Sequence, residues 1–117
     1  MSCSMNYNIK ASSYFEREAK SLAKHYPSFK SDYLHFLDSL KENPYQGDDL
    51  GNGLRKVRMS ITSKGKGKAG GARVITLNIL VNEETMDINL LLLYDKQKAD
   101  NFNPAALKVA LQELGLI

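Results

Sequence analysis

Seven cationic side chains are concentrated between Leu54 and Ile75. By residue type and spacing, this segment indicates a functional site more strongly than any other stretch of the sequence. No acidic residue occurs from Leu50 to Asn82, although the whole chain contains 13 acidic and 16 basic residues. A local excess of Lys and Arg is typical of a surface that contacts phosphate groups. The sequence therefore predicts a phosphate-binding surface in this segment. Its seven cations are Arg55, Lys56, Arg58, Lys64, Lys66, Lys68 and Arg73.

Two predicted strands and the loop between them carry these cations, with Lys56, Arg58 and Arg73 on the strands. Polar and apolar residues alternate from Lys56 onward, which is the pattern of a half-buried strand, so Lys56 and Arg58 should project from the same face. Residues 63–71, SKGKGKAGG, read as a loop because four of the nine are glycine. Arg73 then precedes a β-branched run, Val74–Val81, which predicts a second strand. A strand–loop–strand unit would bring all three of these cations towards one surface.

The part of the chain before this unit predicts one strand and two helices. Residues Asn6–Ala11 alternate as a short strand does. Ser13 and Glu16 have the spacing of a capping box, which satisfies free backbone N–H groups at the start of a helix. A second apolar stripe at helical spacing runs from Phe29 to Leu40. We expect an antiparallel helical hairpin packed on a sheet.

The remaining segments complete the expected fold. Residues Tyr45–Gly53 read as a loop, and Asn82–Thr85 as the turn of a hairpin. Asp87–Tyr94 has the continuous hydrophobicity of a strand covered on both faces. Asn103-Pro104 predicts the start of a final helix that is capped by Gly115. The prediction is an α+β fold with a mainly antiparallel four-stranded sheet, an N-terminal helical hairpin and a C-terminal helix.

Length and composition limit the class of protein. A chain of 117 residues predicts a single domain spanning residues 1–117. The one cysteine, Cys3, excludes an internal disulfide framework and the usual zinc spacings. We find no signal-peptide pattern at the N-terminus and no apolar run near the roughly 20 residues of a membrane helix. We therefore expect a cytoplasmic protein that has no membrane partner.

Taken over nearly its whole length, the sequence resembles the RelE/ParE superfamily of bacterial toxins from type II toxin–antitoxin systems, most nearly the HigB-like branch. The order of elements, the KVRMSI strand, the SKGKGKAGGARVI segment and the closing LLLLYDK carry the resemblance. It implies a RelE-like fold and a ribonuclease that enters the A site of the 70S ribosome and cuts the exposed mRNA codon. It also implies a cognate antitoxin protein that binds the toxin tightly, and no small-molecule cofactor.

Such a ribonuclease uses the ribose 2′-OH to attack the adjacent phosphorus. The reaction needs a base, stabilisation of the added negative charge and an acid for the leaving oxygen, and it requires no metal. The candidate catalytic residues are Lys56, Arg58, Arg73, Tyr94 and Lys96, and the candidate RNA-binding residues are Arg55, Lys64, Lys66 and Lys68.

The resemblance suggests a role for most of these residues. Arg73 matches an arginine of the family at a strand start, where its planar guanidinium suits a phosphate, and Lys56 and Arg58 match the paired basic positions. Lys56 would act as the base only if its cationic neighbours lower its pKa. Tyr94 would stack on a base or orient the phosphate. Lys96 stands where relatives often have a histidine, which leaves the general acid unassigned.

Plainer interpretations remain open at this stage. The basic segment could be an ordinary solvated surface, Arg73 could pair with a surface acid, and Tyr94 could be the last core residue of its strand. Two other functions also fit the sequence: a toxin of the same fold that acts on gyrase, and a noncatalytic RNA- or ribosome-binding module. In the binding module, loss of any lysine should weaken binding about evenly, whereas an enzyme should lose rate at one or two positions.

Overall fold

The computed structural model describes residues 5–64 and 71–117. Within these ranges the chain forms five strands, three α-helices and a 3₁₀ turn at Thr62–Lys64. In chain order the elements are β1 (Asn6–Ala11), α1 (Ser13–His25), α2 (Phe29–Glu42), β2 (Asp48–Gly51), β3 (Leu54–Met59), β4 (Ala72–Asn82), β5 (Thr85–Asp95) and α3 (Pro104–Glu113).

All five strands belong to one mixed sheet in the order β1-β5-β4-β3-β2. Strand β1 runs parallel to β5, whereas the β2–β3, β3–β4 and β4–β5 pairs are antiparallel. The α+β class is therefore confirmed, but the predicted four-stranded antiparallel sheet is wrong. The sheet has a fifth strand, and one of its edges is parallel. Strands β1 and β5 are far apart in sequence, so their relative direction is set by the path of the chain rather than by either strand's pattern.

The additional strand is β2, which lies in the segment 45–53 that was predicted to be a loop. Asp48–Gly51 lacks apolar alternation because all four of its residues are exposed. It pairs with β3 through a tight hairpin in which Asn52 and Gly53 have φ of 55° and 83°. Positive φ at both loop residues is what a type I′ turn requires, and Asn-Gly is its preferred sequence. The turn, rather than hydrophobic burial, defines this strand.

Helices cover both faces of the sheet. One core cluster joins α1 and α2 to the sheet through residues such as Phe15, Phe36 and Leu40. The other contains Leu92 and Ala110 and joins α3 to the opposite face. The prediction that β5 is buried on both faces is confirmed, because its residues contribute to both clusters.

A β-bulge at Leu91 changes the orientation of β5. Leu90 and Leu92 pair with consecutive residues of β4, so Leu91 is the extra residue. Leu90 packs towards α1 and α2, whereas Leu92 and Tyr94 pack towards α3. A bulge of one residue reverses the alternation of all the side chains that follow it. The bulge therefore places Tyr94 on the same face as α3.

The start of α1 is tied to this bulge. The N-cap is Ser12 rather than the predicted Ser13: its Oγ accepts a hydrogen bond from the Phe15 N–H at 3.0 Å and donates one to the Leu91 carbonyl at 2.6 Å. Ser13 is the first helical residue, and its N–H and hydroxyl donate to the Glu113 carboxylate of α3. The sequence located the helix start to within one residue, and the contact with β5 selected the cap.

The C-terminal helix begins as expected. The Asn103 side chain accepts from the Ala105 N–H at 2.9 Å, and Pro104 occupies the first turn. Gly115 has a φ of 72°, which is favourable for glycine after a helix. No helix in the ranges 5–64 and 71–117 is long and apolar enough to cross a bilayer.

Candidate functional site

Three of the candidate residues form a row across neighbouring strands. Arg58 of β3 is directly opposite Arg73 of β4, and Arg73 is opposite Tyr94 of β5. Residues opposite one another in a sheet share a face, and Lys56 shares it as well because it is two residues before Arg58. The structure thus brings together four side chains that lie up to 38 residues apart in the sequence.

The three cations of this group line a cleft of about 220 Å³ at the β2–β3 end of the sheet. We call it the cationic cleft. The segment between α2 and β2 forms its opposite wall. Its lining residues are Gln46, Gly47, Asp48, Lys56, Val57, Arg58 and Arg73.

The cations of the cleft are not neutralised by ion pairs with the described acidic residues. Within residues 5–64 and 71–117, ion pairs involve Lys10, Lys64 and Lys96 instead. The Arg73 guanidinium donates to the Ala72 carbonyl at 3.1 Å, a bond that leaves its charge uncompensated. Because like charges at opposed positions destabilise a sheet by up to about 1 kcal/mol, the Arg58–Arg73 pair is poorly suited to stability alone. It is well suited to binding an anion.

Arg55, a candidate RNA-binding residue, shapes the cleft from outside it. It lies on the opposite face of β3 from Lys56, as alternation requires. Its Nε donates to the Gln46 carbonyl at 3.0 Å, and its Nη2 donates to the Gly47 carbonyl at 2.9 Å. These two hydrogen bonds from the Arg55 guanidinium therefore hold the wall of the cationic cleft in place.

Gly47 is required for that wall to approach β3. It has a φ of 87°, and a Cβ at this position would lie 2.3 Å from the Lys56 carbonyl oxygen. Any other residue would combine an unfavourable backbone conformation with a clash against backbone atoms.

Asp48 is a cleft residue that the sequence analysis missed. It is opposite Lys56 in the β2–β3 ladder, so the two side chains share a face, and it is the acidic residue among those lining the cationic cleft. The Asn52-Gly53 dipeptide was the signal that could have located the hairpin, but a regular two-residue loop would align Asp49 with Lys56. The register shift between Asp49 and Gly51 places Asp48 there instead. A carboxylate beside cations can accept a proton during catalysis.

Tyr94 is buried, with 8% of its surface exposed. Its hydroxyl has no hydrogen-bond partner among the described residues. Burial raises the pKa of this hydroxyl above its ordinary value, and the nearby positive charge of Arg73 only partly opposes the rise. Tyr94 is therefore a protonated hydrogen-bond donor on the strand next to Arg73, and it is also a core residue beneath α3. It lines a separate cavity of about 130 Å³ rather than the cationic cleft itself.

The other candidate lysines lie apart from the cleft or outside the described residues. The Lys96 Nζ is bound to the Asp100 carbonyl at 3.2 Å in the turn after β5. The Lys64 Nζ lies 2.6 Å from Asp95 Oδ1, with 2% and 3% of the two side chains exposed. Lys66 and Lys68 fall in 65–70, outside the described residues.

The ion pair of Lys64 belongs to a small buried network. Tyr26 donates its hydroxyl to Asp95 Oδ2 at 2.9 Å, and the Gln97 N–H donates to Oδ1 at 3.0 Å. Burial alone would raise the pKa of the Asp95 carboxyl, but these hydrogen bonds and that from Lys64 outweigh burial and lower it. Asp95 is therefore ionised, and it anchors the segment that follows Tyr94.

No known protein-family model matches this sequence. In the part of the chain that the structure describes, no group of three or more His, Cys, Asp or Glu side chains could hold a metal ion. We therefore base the functional proposal on the side chains of the cationic cleft.

Proposed function

We propose that this protein is the toxin of a type II toxin–antitoxin pair and acts as an mRNA endonuclease on the ribosome. The observation that carries the proposal is the row of Arg58, Arg73 and Tyr94 beside Lys56, which combines uncompensated cations with a protonated phenol. The family resemblance of the sequence supports the ribosome as the place of action and the antitoxin as the partner.

The proposed reaction is an attack of the ribose 2′-OH on the adjacent phosphorus. A bond forms between O2′ and phosphorus as the bond to the 5′ oxygen of the next nucleotide breaks. The products are a 2′,3′-cyclic phosphate and a free 5′-OH. The pentavalent transition state carries additional negative charge, which Arg58 and Arg73 stabilise through charge-assisted hydrogen bonds.

Two further groups supply the proton transfers. Asp48, across the strand pair from Lys56, accepts the proton from the 2′-OH. Tyr94 donates a hydrogen bond or a proton to the leaving 5′ oxygen, a role consistent with its protonated state. Lys56 adds a positive charge that holds the phosphate in the cleft.

The test is cleavage of a defined mRNA by the purified protein, with and without programmed 70S ribosomes. Wild type should release fragments that depend on the ribosome, and Arg73→Ala should lower the rate by about 100-fold or more, since it removes a stabilising donor. Lys108→Ala is the control, because it removes an exposed cation from α3 and leaves the cleft intact.

In the same assay Asp48→Asn should lower the rate by about 100-fold. Asp49→Asn, which changes the adjacent residue on the other face of β2, should not.

Intact mRNA with wild-type protein that is bound to ribosomes would refute the proposed function. If DNA damage accompanied the intact mRNA, gyrase would be the better target. If Arg73→Ala cut as fast as Lys108→Ala, the cationic cleft would not be the catalytic site.

A noncatalytic RNA-binding module is the second candidate, and the same uncompensated cations favour it. In that case single Ala substitutions of Lys56, Arg58 and Arg73 should weaken binding by similar factors, and each should reduce the salt dependence of binding. Selective loss of rate with unchanged binding would exclude this candidate.

A further inference from the structure

A second cleft, of about 250 Å³, lies between α2 and the end of β3. We call it the α2 cleft. Arg58 lines both this cleft and the cationic cleft, so the two adjoin at its side chain. The other polar residues that line it include His35 and Ser39 of α2, together with Ser60 and Thr62.

The wall of the α2 cleft is held by Asp32. Its carboxylate accepts hydrogen bonds from the Thr62 N–H at 2.9 Å, the Thr62 Oγ1 at 2.7 Å and the Ser28 hydroxyl at 2.6 Å. These bonds join α2 to the turn after β3. The acceptor capacity of Asp32 is largely used within the protein, and the Ser39 hydroxyl donates to the Phe36 carbonyl at 2.7 Å, which leaves His35 and Ser60 to present polar groups to a ligand.

The two clefts are also connected along α2. The Gln46 Nε2 donates to the Ser39 Oγ at 3.3 Å, and Gln46 lines the cationic cleft while Ser39 lines the α2 cleft. Strand β2 begins at Asp48, opposite Lys56, so its pairing with β3 does not reach Arg58. No described strand therefore covers the edge of β3 where the clefts meet, and an extended chain can pass over it.

We propose that the α2 cleft binds the ribonucleotide next to the one whose phosphate lies in the cationic cleft. The proposal rests on the proposed function. Arg58 is suited to span the two clefts because its guanidinium offers five N–H donors to successive phosphates. The His35 ring can stack on a base, and the Ser60 hydroxyl can bond its edge, as in recognition of single-stranded RNA.

The first test is the kinetics of His35→Ala, with His25→Ala as the matched control. Both histidines are exposed on helices, but only His35 lines the α2 cleft. We expect His35→Ala to lower kcat/KM about tenfold, mainly through KM, since it loses a stacking contact but no catalytic group. His25→Ala should match wild type. Equal kinetics for the two variants would contradict the proposal.

The second test locates the RNA directly and does not require cleavage. Ribosomes are programmed with an mRNA that has 2′-deoxy sugars and one photoreactive 4-thiouridine at successive A-site positions. Crosslinks from one position to residues of α2 or to Ser60 and Thr62 are expected, and their absence at every position would overturn the proposal. If crosslinks to α2 formed but wild type cut no RNA, the proposed function would fail and the nucleotide site would stand. If wild type cut RNA but no position crosslinked to this cleft, the nucleotide site alone would fail.

Discussion

At the scale of single residues, the row from Arg58 through Arg73 to Tyr94 combines features that oppose stability. The two arginines are directly opposed, and the buried Tyr94 hydroxyl has no partner among the described residues. Leaving a buried polar group unpaired costs free energy, and so does the approach of like charges. Both features suit the proposed phosphate site, because partners within the protein would compete with the ligand.

Tyr94→Phe should separate stability from function. Removing the unpaired hydroxyl should raise the free energy of unfolding by about 1 kcal/mol. The cleavage rate should fall, because the phenol that we propose as the donor to the leaving oxygen is lost. Urea unfolding and the ribosome assay measure the two effects, and Tyr14→Phe is a control on a partly buried tyrosine of the same core cluster. An unchanged cleavage rate would show that Tyr94 is only a core residue.

At the scale of elements, the cleft depends on β2 and on the segment that leads into it. Arg55 holds the carbonyls of Gln46 and Gly47, and the Asn52-Gly53 turn together with the register shift between Asp49 and Gly51 brings Asp48 opposite Lys56. Neither feature contributes much apolar burial, since β2 is exposed throughout. The wall of the cleft is therefore held by backbone geometry and hydrogen bonds rather than by hydrophobic packing.

Gly47→Ala should damage this wall far more than Gly51→Ala does. Both glycines have positive φ, at 87° and 89°, so each substitution should cost about 1 kcal/mol of conformational strain. At Gly47 the new Cβ also meets the Lys56 carbonyl oxygen, whereas nothing lies within 4 Å at Gly51. We therefore expect Gly47→Ala to lower the free energy of unfolding, measured by urea unfolding, by about 1–3 kcal/mol more than Gly51→Ala does. It should also weaken RNA binding. Equal losses would mean that the wall moves freely.

At the scale of the whole molecule, the buried Lys64–Asp95 ion pair joins segments 31 residues apart. It connects the turn after β3 to the end of β5, and Tyr26 adds the end of α1 to the same network. Buried ion pairs contribute little net stability because of their desolvation cost, but removing one partner is strongly destabilising. This network fixes how the end of β5, just after Tyr94, meets the elements around it.

Protonation of Asp95 should therefore lower the free energy of unfolding in acid. Its pKa is lower in the folded protein than in the unfolded chain, so its contribution is fully present above the unfolded value of about 3.9 and is lost as pH falls through the folded pKa. Asp95→Asn should lower the free energy of unfolding at pH 7 by about 3–5 kcal/mol, because the buried ion pair with Lys64 is broken, and should flatten the acid limb. Asp38→Asn, at an exposed position on α2, should keep the wild-type profile. Urea unfolding between pH 7 and pH 2 measures both, and an acid limb that is equally steep without Asp95 would contradict the assignment.

Local patterns in the sequence were sufficient for most of the elements. Apolar periodicity located the helices and the long strands β4 and β5, and Asn103-Pro104 located the start of α3, because these signals act between residues close in the chain. Alternation placed Lys56 and Arg58 on one face for the same reason. Periodicity could not predict the exposed strand β2, since a strand without a buried face has no hydrophobic period.

The arrangement of the site was decided by tertiary structure. The Leu91 bulge reverses the alternation of β5, and without it Tyr94 would face α1 and α2 instead of sharing a face with Arg73. Burial in an ion pair separates Lys64 from the other cations, and pairing with backbone carbonyls does the same for Arg55. The sequence by itself determined which cations were available and the strands that carry them. Strand register and the bulge determined which of them meet, because both depend on contacts between segments distant in the chain.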